Sequence, residues 1–544
     1  MSTTAEKKRS YVLEVLLLYS PVLVAILVMI PRLLSPQFGL FDDGNSIVTA
    51  NKIAHGEWVF PVDVPNNRFR PLYWLSFAFL YNLVGEKPVW FFLLNTVVLC
   101  LTIVVLVSYL RRLGSNSWQA WIAGMLFVLS GTVIENFYTL SKGEWLQVMF
   151  IAISLFTASM YSITSSQRRK ALVIAGATLS LLCAMLSKET SVVMLPVSVA
   201  WAATSLLWGK RHTSNVPAWR TPYLVSSAIA VGLYFILRFV YTVSAVSTSG
   251  YTERYAFTIS QAIASTIRWA GWLTRDFSYL AFILLLVVIL LALRRSFNQM
   301  QLAFDMMIWM VAWVVVYLPW NFMTEYYMLP FSFGAAIFSG LVLGERSVWR
   351  SLFPRILAVL AVVILVISII NSITAARIQL TVDSINAQMM ESLSELPLGS
   401  SIYVNIQSAN EYTDQIKTQL EARFNRKDLS IGLFNPETGI PNSCLPNSCF
   451  IVSLTVKNQP LLTVRMGIFE PTQDGWNGSL QNFLNGNHNW VEKAIYNHSF
   501  GMLTVDFPRL FCKYVITRAF CAMPSPLIDV RDFQYGWSLY QLQR

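Results

Sequence analysis

The sequence predicts a mostly α-helical, polytopic membrane protein with a second, α/β or α+β domain outside the cytoplasm. Of its 544 residues, 55% are hydrophobic and only 13% are charged, whereas soluble domains contain roughly 25% charged residues. The apolar residues form long runs up to residue 373, and the sequence beyond is polar. Lys and Arg number 40 against 29 Asp and Glu, but they cluster between the apolar runs, as in membrane proteins. This composition excludes a soluble enzyme, a disordered chain and a nucleic-acid-binding protein.

The apolar runs define the predicted spans, because a helix needs about 20 mostly apolar residues to cross the hydrocarbon core. About eleven runs approach this length; they are Tyr11–Ile30, Val89–Leu110, Ala120–Val133, Trp145–Ile163, Ala171–Leu186, Ser191–Trp208, Tyr223–Val243, Tyr279–Leu293, Leu302–Phe322, Tyr326–Leu343 and Ile356–Ile373. The first run has no small-residue cleavage site, so we predict an anchor and not a removed signal peptide. The apolar segment Pro71–Val84 is shorter, and we predict an interfacial helix at the outer surface.

The basic clusters predict the orientation. They are Lys7-Lys8-Arg9, Arg111-Arg112, Arg168-Arg169-Lys170, Lys210-Arg211, Arg294-Arg295 and Arg346/Arg350/Arg355. If the spans alternate, all these clusters fall on one side, which the positive-inside rule assigns to the cytoplasm. An odd number of spans then divides the chain into a transmembrane domain, residues 1–373, and an extracytoplasmic domain, residues 374–544. The short N-terminus and repeat-free tail favour a bacterial inner membrane, with the tail in the periplasm.

The tail is predicted to be a single soluble domain of ordinary size. It contains the β-like runs Ser401–Ile406, Phe450–Val456 and Leu461–Phe469 between segments rich in Asn, Pro and Gly. It also holds four of the six cysteines, for which proximity favours the disulfides Cys444–Cys449 and Cys512–Cys521. A zinc site is the alternative, but no His stands near either pair at ligand spacing. Disulfides agree with an extracytoplasmic tail.

Two adjacent carboxylates, Asp42 and Asp43, follow the first span. Either one is a candidate general base that removes the proton from an acceptor hydroxyl. The structural alternative is an N-cap for the following segment, Ser46–His55. A third possibility is that both together hold Mg²⁺ or Mn²⁺ through oxygen ligands. We otherwise predict no metal site and no cofactor.

Several cations break the positive-inside pattern on the outer side: Arg32, Lys52, Arg68, Arg70, Lys142, Lys188, Arg254, Arg268 and Arg275. Cations at headgroup level suit an anionic lipid phosphate. Arg70 is a candidate phosphate ligand or an ordinary interfacial anchor beside Tyr73 and Trp74. Lys188 is a candidate phosphate ligand or one half of a structural pair with a carboxylate such as Glu189.

The order of these motifs along the chain, and the side of the membrane on which they are predicted to lie, resemble those of the GT-C membrane glycosyltransferases. The resemblance rests on Asp42-Asp43 with Ile47 and Asn51, Phe69-Arg70-Pro71-Leu72 with Asn95, Lys188-Glu189, and Glu325-Tyr326-Tyr327-Met328-Leu329-Pro330. It covers Tyr11 to about Leu343 and is closest to the protein O-mannosyltransferase group and its bacterial relatives. It implies a multi-span fold with an extracytoplasmic active site and a donor sugar linked to a polyprenyl phosphate.

The resemblance also implies residue roles. Asp42 or Asp43 would be the catalytic base, while Arg70, Lys188 and Lys142 would bind the donor phosphate. Glu144, Glu189, Glu325 and Tyr326 would line the sugar or acceptor pocket. The chain departs from the eukaryotic pattern at Tyr326, where an Arg is frequent, and its tail shows no helical repeat. A glycan acceptor is therefore at least as well supported as a protein.

The sequence therefore predicts an inverting hexosyltransferase that uses a polyprenyl-phosphate sugar and glycosylates a hydroxyl of an extracytoplasmic glycan, such as O-antigen or another surface polysaccharide. A lipid-linked oligosaccharide or a protein is the alternative acceptor. The rival class is a lipid-linked-sugar transporter or flippase, which should show interrupted helices in two related halves. The predicted partners are the donor, the acceptor and membrane lipids, without nucleic acid.

Overall fold

The computed structural model describes residues 4–40, 43–57, 68–140, 142–209, 219–242, 258–260, 262–263, 265–266, 279–293, 299–319, 325–350, 352–405, 409–434, 444–457, 473–486, 489–505 and 528–543. The protein is a multi-pass membrane protein. Its helical part contains α1 (Thr4–Leu34), α2 (Asp43–Ala54), α3 (Pro71–Val84), α4 (Pro88–Arg112), α5 (Ser117–Val128), α6 (Gly131–Phe137), α7 (Glu144–Ser159), α8 (Gln167–Ser187), α9 (Met194–Gly209), α10 (Arg220–Thr242), α11 (Tyr279–Leu293), α12 (Met300–Tyr317), α13 (Leu329–Leu343) and α14 (Leu352–Ser394). Short 3-10 helices cover Met160–Ile163, Glu189–Val193, Glu325–Met328 and Arg346–Trp349.

The predicted spans correspond to helices of the structure. In the described part of the chain, nine helices are long and apolar enough to cross a membrane. The predicted span Ala120–Val133 is instead the bent pair α5 and α6, which meet at 56°. The predicted span Tyr279–Leu293 is the 15-residue helix α11. The apolar segment Pro71–Val84 is a helix with these bounds, and its interfacial location stays a prediction.

Local sequence explains where the helices begin and end. Pro88 stands in the first turn of α4, where a missing backbone N–H costs nothing, and Arg111 and Arg112 occupy the last turn, where they complement the helix dipole. Asn116 caps α5 by accepting a bond from the backbone N–H of Gln119, whose side chain bonds back to the backbone of Asn116. This reciprocal capping box fixes the turn between α4 and α5.

Helix α13 lies at the centre of the bundle, and every one of its residues is buried. It packs closely against α5 because small residues face that helix. A Cβ placed on Gly340 would lie 2.7 Å from the backbone N of Ala123. Since the N-terminal end of α13 follows the Glu325–Met328 turn, this packing also fixes the position of that turn.

The long helix α14 continues past the domain boundary that composition predicts at residue 373. Its first part packs with the transmembrane core through Ala358 and Ala361. Its last part packs with the core of the tail through Ile378 and Val382. The two regions are therefore joined by one continuous helix, and the division into separate domains stays a prediction.

The tail is built on a five-stranded mixed sheet of order β2-β1-β3-β5-β4. The strands are β1 (Ser401–Asn405), β2 (Ser430–Leu433), β3 (Cys449–Lys457), β4 (Trp490–Val505) and β5 (Ile528–Leu542), with helices α15 (Ala409–Arg423) and α16 (Gln473–Gly486). β1 pairs in parallel with β2 and β3, while β5 is antiparallel to β3 and β4. Two predicted runs match β1 and β3, and the third, Leu461–Phe469, lies outside the described residues. The long β4–β5 ribbon was not predicted.

Cys444 and Cys449 are joined by a disulfide at the start of β3. Cys512 and Cys521 lie outside the described residues, so their pairing stays a prediction. Cys100 and Cys183, in spans, are free and half-buried.

Buried ion pairs tie distant parts of the bundle together. Arg220, at the start of α10, donates from Nε and Nη2 to Oδ2 of Asp305 on α12, and both side chains are buried. Arg32 donates 2.8 Å to Asp383 of α14 and 2.7 Å to the carbonyl of Gln37, and its guanidinium lies 4.0 Å over Phe92. Removing one member of such a pair leaves a buried charge without its counter-charge.

Replacing Asp305 by Ala should therefore destabilise the protein strongly, by about 3–5 kcal/mol in the free energy of unfolding. The measurement is the thermal unfolding temperature of the protein in detergent. The matched control is Asp428→Ala, which breaks the more exposed Arg426–Asp428 pair and should change the unfolding temperature little. Equal losses in both variants would contradict this ranking.

Candidate active site

The loop between α6 and α7 is the centre of the candidate site. Asn95 on α4 donates from Nδ2 to the carbonyls of Phe137 (2.9 Å) and Thr139 (3.1 Å). The Tyr73 hydroxyl donates to the carbonyl of Leu140 over 3.2 Å. Two helices, α3 and α4, therefore hold this loop through its backbone, so that the residues after it enter α7 in a fixed direction.

Asp43 is the first residue of α2 and is buried, with 1% of its surface exposed. Its Oδ2 accepts from the backbone N–H of Gly39 (2.9 Å), and its Oδ1 accepts from the N–H of Leu140 (3.2 Å). These two bonds connect the segment before α2 to the α6–α7 loop. They differ from the N-cap alternative, in which the carboxylate would bind the first turn of its own helix.

Each oxygen of an ionised carboxylate has two lone pairs, so these two bonds do not by themselves exclude Asp43 as a base. The other candidate base, Asp42, lies outside the described residues. Whether Asp42 or Asp43 removes the proton therefore stays a prediction, and the same holds for the possible Mg²⁺ or Mn²⁺ ligation by the pair. Among the residues that the structure describes, no three His, Cys, Asp or Glu side chains are grouped to hold a metal ion.

Lys188 and Glu144 form a buried ion pair with an Nζ–Oε1 distance of 2.7 Å. Lys188 ends α8 in an extended backbone conformation, and Glu189 begins a 3-10 helix immediately after it. This break turns Lys188 towards Glu144 in the first turn of α7. The structural pair that the sequence offered as an alternative therefore exists, with Glu144 and not Glu189 as the partner. An ammonium group has three donors, so one carboxylate does not exhaust it.

Tyr326 lies between two lysines. The Lys142 Nζ is 4.0 Å and the Lys188 Nζ is 6.0 Å from the centre of its ring. The neighbouring ring of Tyr327 is 5.0 Å from the Lys188 Nζ. Asn136 fixes the turn by donating to the carbonyl of Tyr326 over 3.0 Å. At the position of Tyr326, the family that this chain resembles frequently has an Arg. This chain has an aromatic ring there, and the face of the ring stabilises two cations.

Arg70 is buried at the start of α3 and lies over two aromatic rings, 5.1 Å from Tyr73 and 5.8 Å from Trp74. These rings are themselves buried, so they support the guanidinium and do not act as exposed interfacial anchors. Arg70 and Arg68 are also close enough to Lys188 and Glu189 for electrostatic interaction. Cations from three separate segments therefore converge.

The fold brings together in one region six of the site residues predicted from the sequence: Arg70, Lys142, Glu144, Lys188, Glu189 and Tyr326. The side chain of Glu325 lies outside the described residues, although its backbone belongs to the 3-10 helix. Sequence reasoning missed Tyr317, whose ring lies 4.9 Å from Tyr327 and whose hydroxyl lies 3.4 Å from that of Thr190. It also missed two residues of α15, Gln419 and Arg423, which reach the segment before Asp42.

No protein-family model matches the chain, and comparison with curated proteins finds no match. A similar solved structure is ArnT from Cupriavidus metallidurans bound to undecaprenyl phosphate, with 13% identity, a TM-score of 0.45, and coverage of 95% of this chain and 97% of that chain. Another is the Archaeoglobus fulgidus oligosaccharyltransferase tethered with an acceptor peptide, with 12% identity, a TM-score of 0.42 and 78% of this chain covered. This chain spans 64% of the length of that protein.

A third similar structure is the oligosaccharyltransferase AglB from Archaeoglobus fulgidus in complex with an inhibitory peptide and a dolichol-phosphate. It has 12% identity and a TM-score of 0.41, with 80% of this chain and 69% of that chain covered. GT-C membrane glycosyltransferases are thus among the matches, as the motif resemblance predicts. Because these TM-scores lie below 0.5, the similarities do not indicate what this chain does.

The aromatic face of Tyr326, and not its hydroxyl, should hold Lys142 in place. Tyr326→Leu should expose the ammonium and increase its reaction rate with an amine-reactive reagent by about two- to fivefold, which corresponds to roughly 0.5–1 kcal/mol for a cation–π contact. Tyr326→Phe retains the ring and should leave the rate unchanged. Peptide mass spectrometry of labelled Lys142 measures both. An equal increase in both variants would assign the effect to the hydroxyl.

Proposed function

We propose that this protein is an inverting membrane glycosyltransferase that transfers a hexose from a polyprenyl-phosphate carrier to a hydroxyl group of an extracytoplasmic glycan. The observation that carries the proposal is the convergence of Arg68, Arg70, Lys142 and Lys188 near the buried Glu144 and the half-buried Glu189. Cations that converge in an apolar bundle favour the binding of an anion there, because a buried positive charge is costly without negative charge close to it. A lipid phosphodiester supplies such an anion.

An apolar groove adjoins this region and suits the donor's isoprenoid chain. It is lined by Phe235, Ile236, Arg238, Phe239 and Val240 of α10 and has a volume of about 490 Å³. The Tyr234 hydroxyl, next in sequence to the groove, interacts with Arg238 and lies within electrostatic reach of Arg70 and Glu189. A lipid whose tail lies along α10 would thus have its phosphate close to the cations.

The chemistry follows from these positions. The bond between the anomeric carbon and the phosphate oxygen breaks, and the polyprenyl phosphate leaves with the electron pair. The cations stabilise the negative charge that develops on the phosphate, where little water screens them. The acceptor hydroxyl forms the new bond from the opposite face, and Asp42 or Asp43 takes its proton. The configuration at the anomeric carbon therefore inverts.

The glutamates have a different role in this proposal. Glu144 holds Lys188 through their ion pair and so orients the ammonium group. Glu189, which lies within electrostatic range of Arg70 and Lys188, is available to hydrogen-bond sugar hydroxyls. We place the acceptor and the tail in the periplasm of a bacterium. Protein O-glycosylation is the alternative acceptor chemistry, and the repeat-free tail argues against it.

The proposed function is tested by transfer of label from radiolabelled polyprenyl-phosphate hexoses in membranes that contain the protein. Lys188→Met should reduce the rate by about 10²-fold or more, the usual effect of removing a group that stabilises transition-state charge. The variants Asp42→Asn and Asp43→Asn are compared in the same assay. The variant that removes the base should abolish transfer.

The matched control is Arg350→Ala, because Arg350 is exposed and follows the end of α13 opposite to Tyr326. It should transfer at the wild-type rate. Transfer that survives both aspartate substitutions would overturn the base assignment. Uptake of labelled lipid across the membrane without transfer to any acceptor would instead support a transporter.

A further inference from the structure

Helix α15 of the tail packs against α2 and also contacts the segment that precedes the two aspartates, through hydrogen bonds to Gly39 and Leu40. Gln419 on this helix is buried, with 1% of its surface exposed. Its Nε2 donates to the carbonyls of Gly39 (3.2 Å) and Leu40 (2.8 Å). Its Oε1 accepts from Nη1 of Arg423 over 2.8 Å. Burying an amide is unfavourable unless its polar atoms are bonded, and here both donors and the acceptor are used.

The same peptide segment is bonded to Asp43. The N–H of Gly39 donates to Oδ2 of Asp43, while the carbonyl of Gly39 accepts from Gln419. One residue, Gly39, therefore transmits the position of α15 to the carboxylate. A Cβ at Gly39 would lie 3.2 Å from Oδ2 of Asp43 and 3.4 Å from Oδ1 of Asp383. The close approach of these groups thus depends on glycine at this position.

An apolar contact reinforces the hydrogen bonds. Leu40, two residues before Asp42, is buried in the hydrophobic core of the tail with Ile416 and Leu420 of α15, and not in the core of the transmembrane bundle. A Cβ at Gly44 would overlap the side chain of Gln419. Leu40 therefore anchors the segment in the core of the tail just before the aspartates. Just after them, α15 lies close to the backbone at Gly44.

Arg423 adds an electrostatic connection. Its guanidinium lies 5.0 Å over the ring of Phe38. Burial lowers the pKa of Arg423, and the carboxylates of Glu86 and Asp43 raise it. The charge of Arg423 therefore acts on the same segment that Gln419 binds.

We propose that Gln419 is a positioning residue for the candidate base Asp43: the tail domain, through Gln419 and the buried Leu40, fixes the peptide segment that hydrogen-bonds the Asp43 carboxylate. This inference rests on the proposed function. It gives the tail a role in the reaction itself. The donor phosphate binds the cations from other segments, so loss of Gln419 should reduce kcat and leave KM for the donor unchanged.

The test compares Gln419→Leu with wild type on the purified full-length protein in detergent. Hydrogen–deuterium exchange reports whether the backbone amides of residues 39–44 lose protection, and steady-state transfer gives kcat and KM. We expect at least tenfold faster exchange in this segment, at least a tenfold lower kcat and a donor KM within twofold of wild type. The matched control is Lys417→Leu on the exposed part of the same helix, which should change none of these values.

Unchanged exchange at residues 39–44 in Gln419→Leu would overturn the positioning role, whatever the activity. Faster exchange with an unchanged kcat would overturn the link to catalysis. A raised KM with an unchanged kcat would assign Gln419 to substrate binding and also overturn the proposal. If the wild-type protein transfers no sugar, the proposed function fails, and the exchange measurement still decides whether Gln419 orders the segment.

Discussion

The buried ion pair between Lys188 and Glu144 is the interaction on which the candidate site depends. An ammonium group in an apolar bundle is costly to desolvate, so it persists only where charge and hydrogen bonds compensate. Glu144 supplies the charge, and the rings of Tyr326 and Tyr327 supply the remaining contacts. The same aromatic turn holds Lys142. The electrostatic and aromatic contacts together keep two lysines in place, which is the preorganisation that the proposed stabilisation of the departing phosphate requires.

The α6–α7 loop and Gly39 connect this cationic region with the carboxylates. Leu140 is bonded through its N–H to Asp43 and through its carbonyl to Tyr73, and Tyr73 supports Arg70. A shift of the loop would therefore move the proposed base and a proposed phosphate ligand together. Gln419 then couples the same unit to the tail. The tail and the bundle form one continuous scaffold, since α14 runs from one core into the other.

Much of this architecture could be predicted, because span length and the clustering of basic residues are local properties of the sequence. For Arg70, Lys142 and Lys188, the sequence predicts only that all three lie on the same side of the membrane. It does not predict that they lie close together. Their contacts depend on side chains far apart in the chain, as with Tyr326 between two lysines. The β4–β5 ribbon and the hydrogen bonds of Gln419 escaped prediction for the same reason: both join residues that are far apart in the chain, and neither leaves a local signal in the sequence.

The proposed function requires that the cationic region binds an isoprenoid phosphate. The most direct measurement is the dissociation constant of undecaprenyl phosphate for the purified protein in detergent, with undecaprenol as the uncharged comparison. We predict saturable binding of the phosphate that weakens at least tenfold in Lys188→Met and is unchanged in Arg350→Ala, with much weaker binding of the alcohol. Equal affinity for phosphate and alcohol, or full affinity in Lys188→Met, would contradict it.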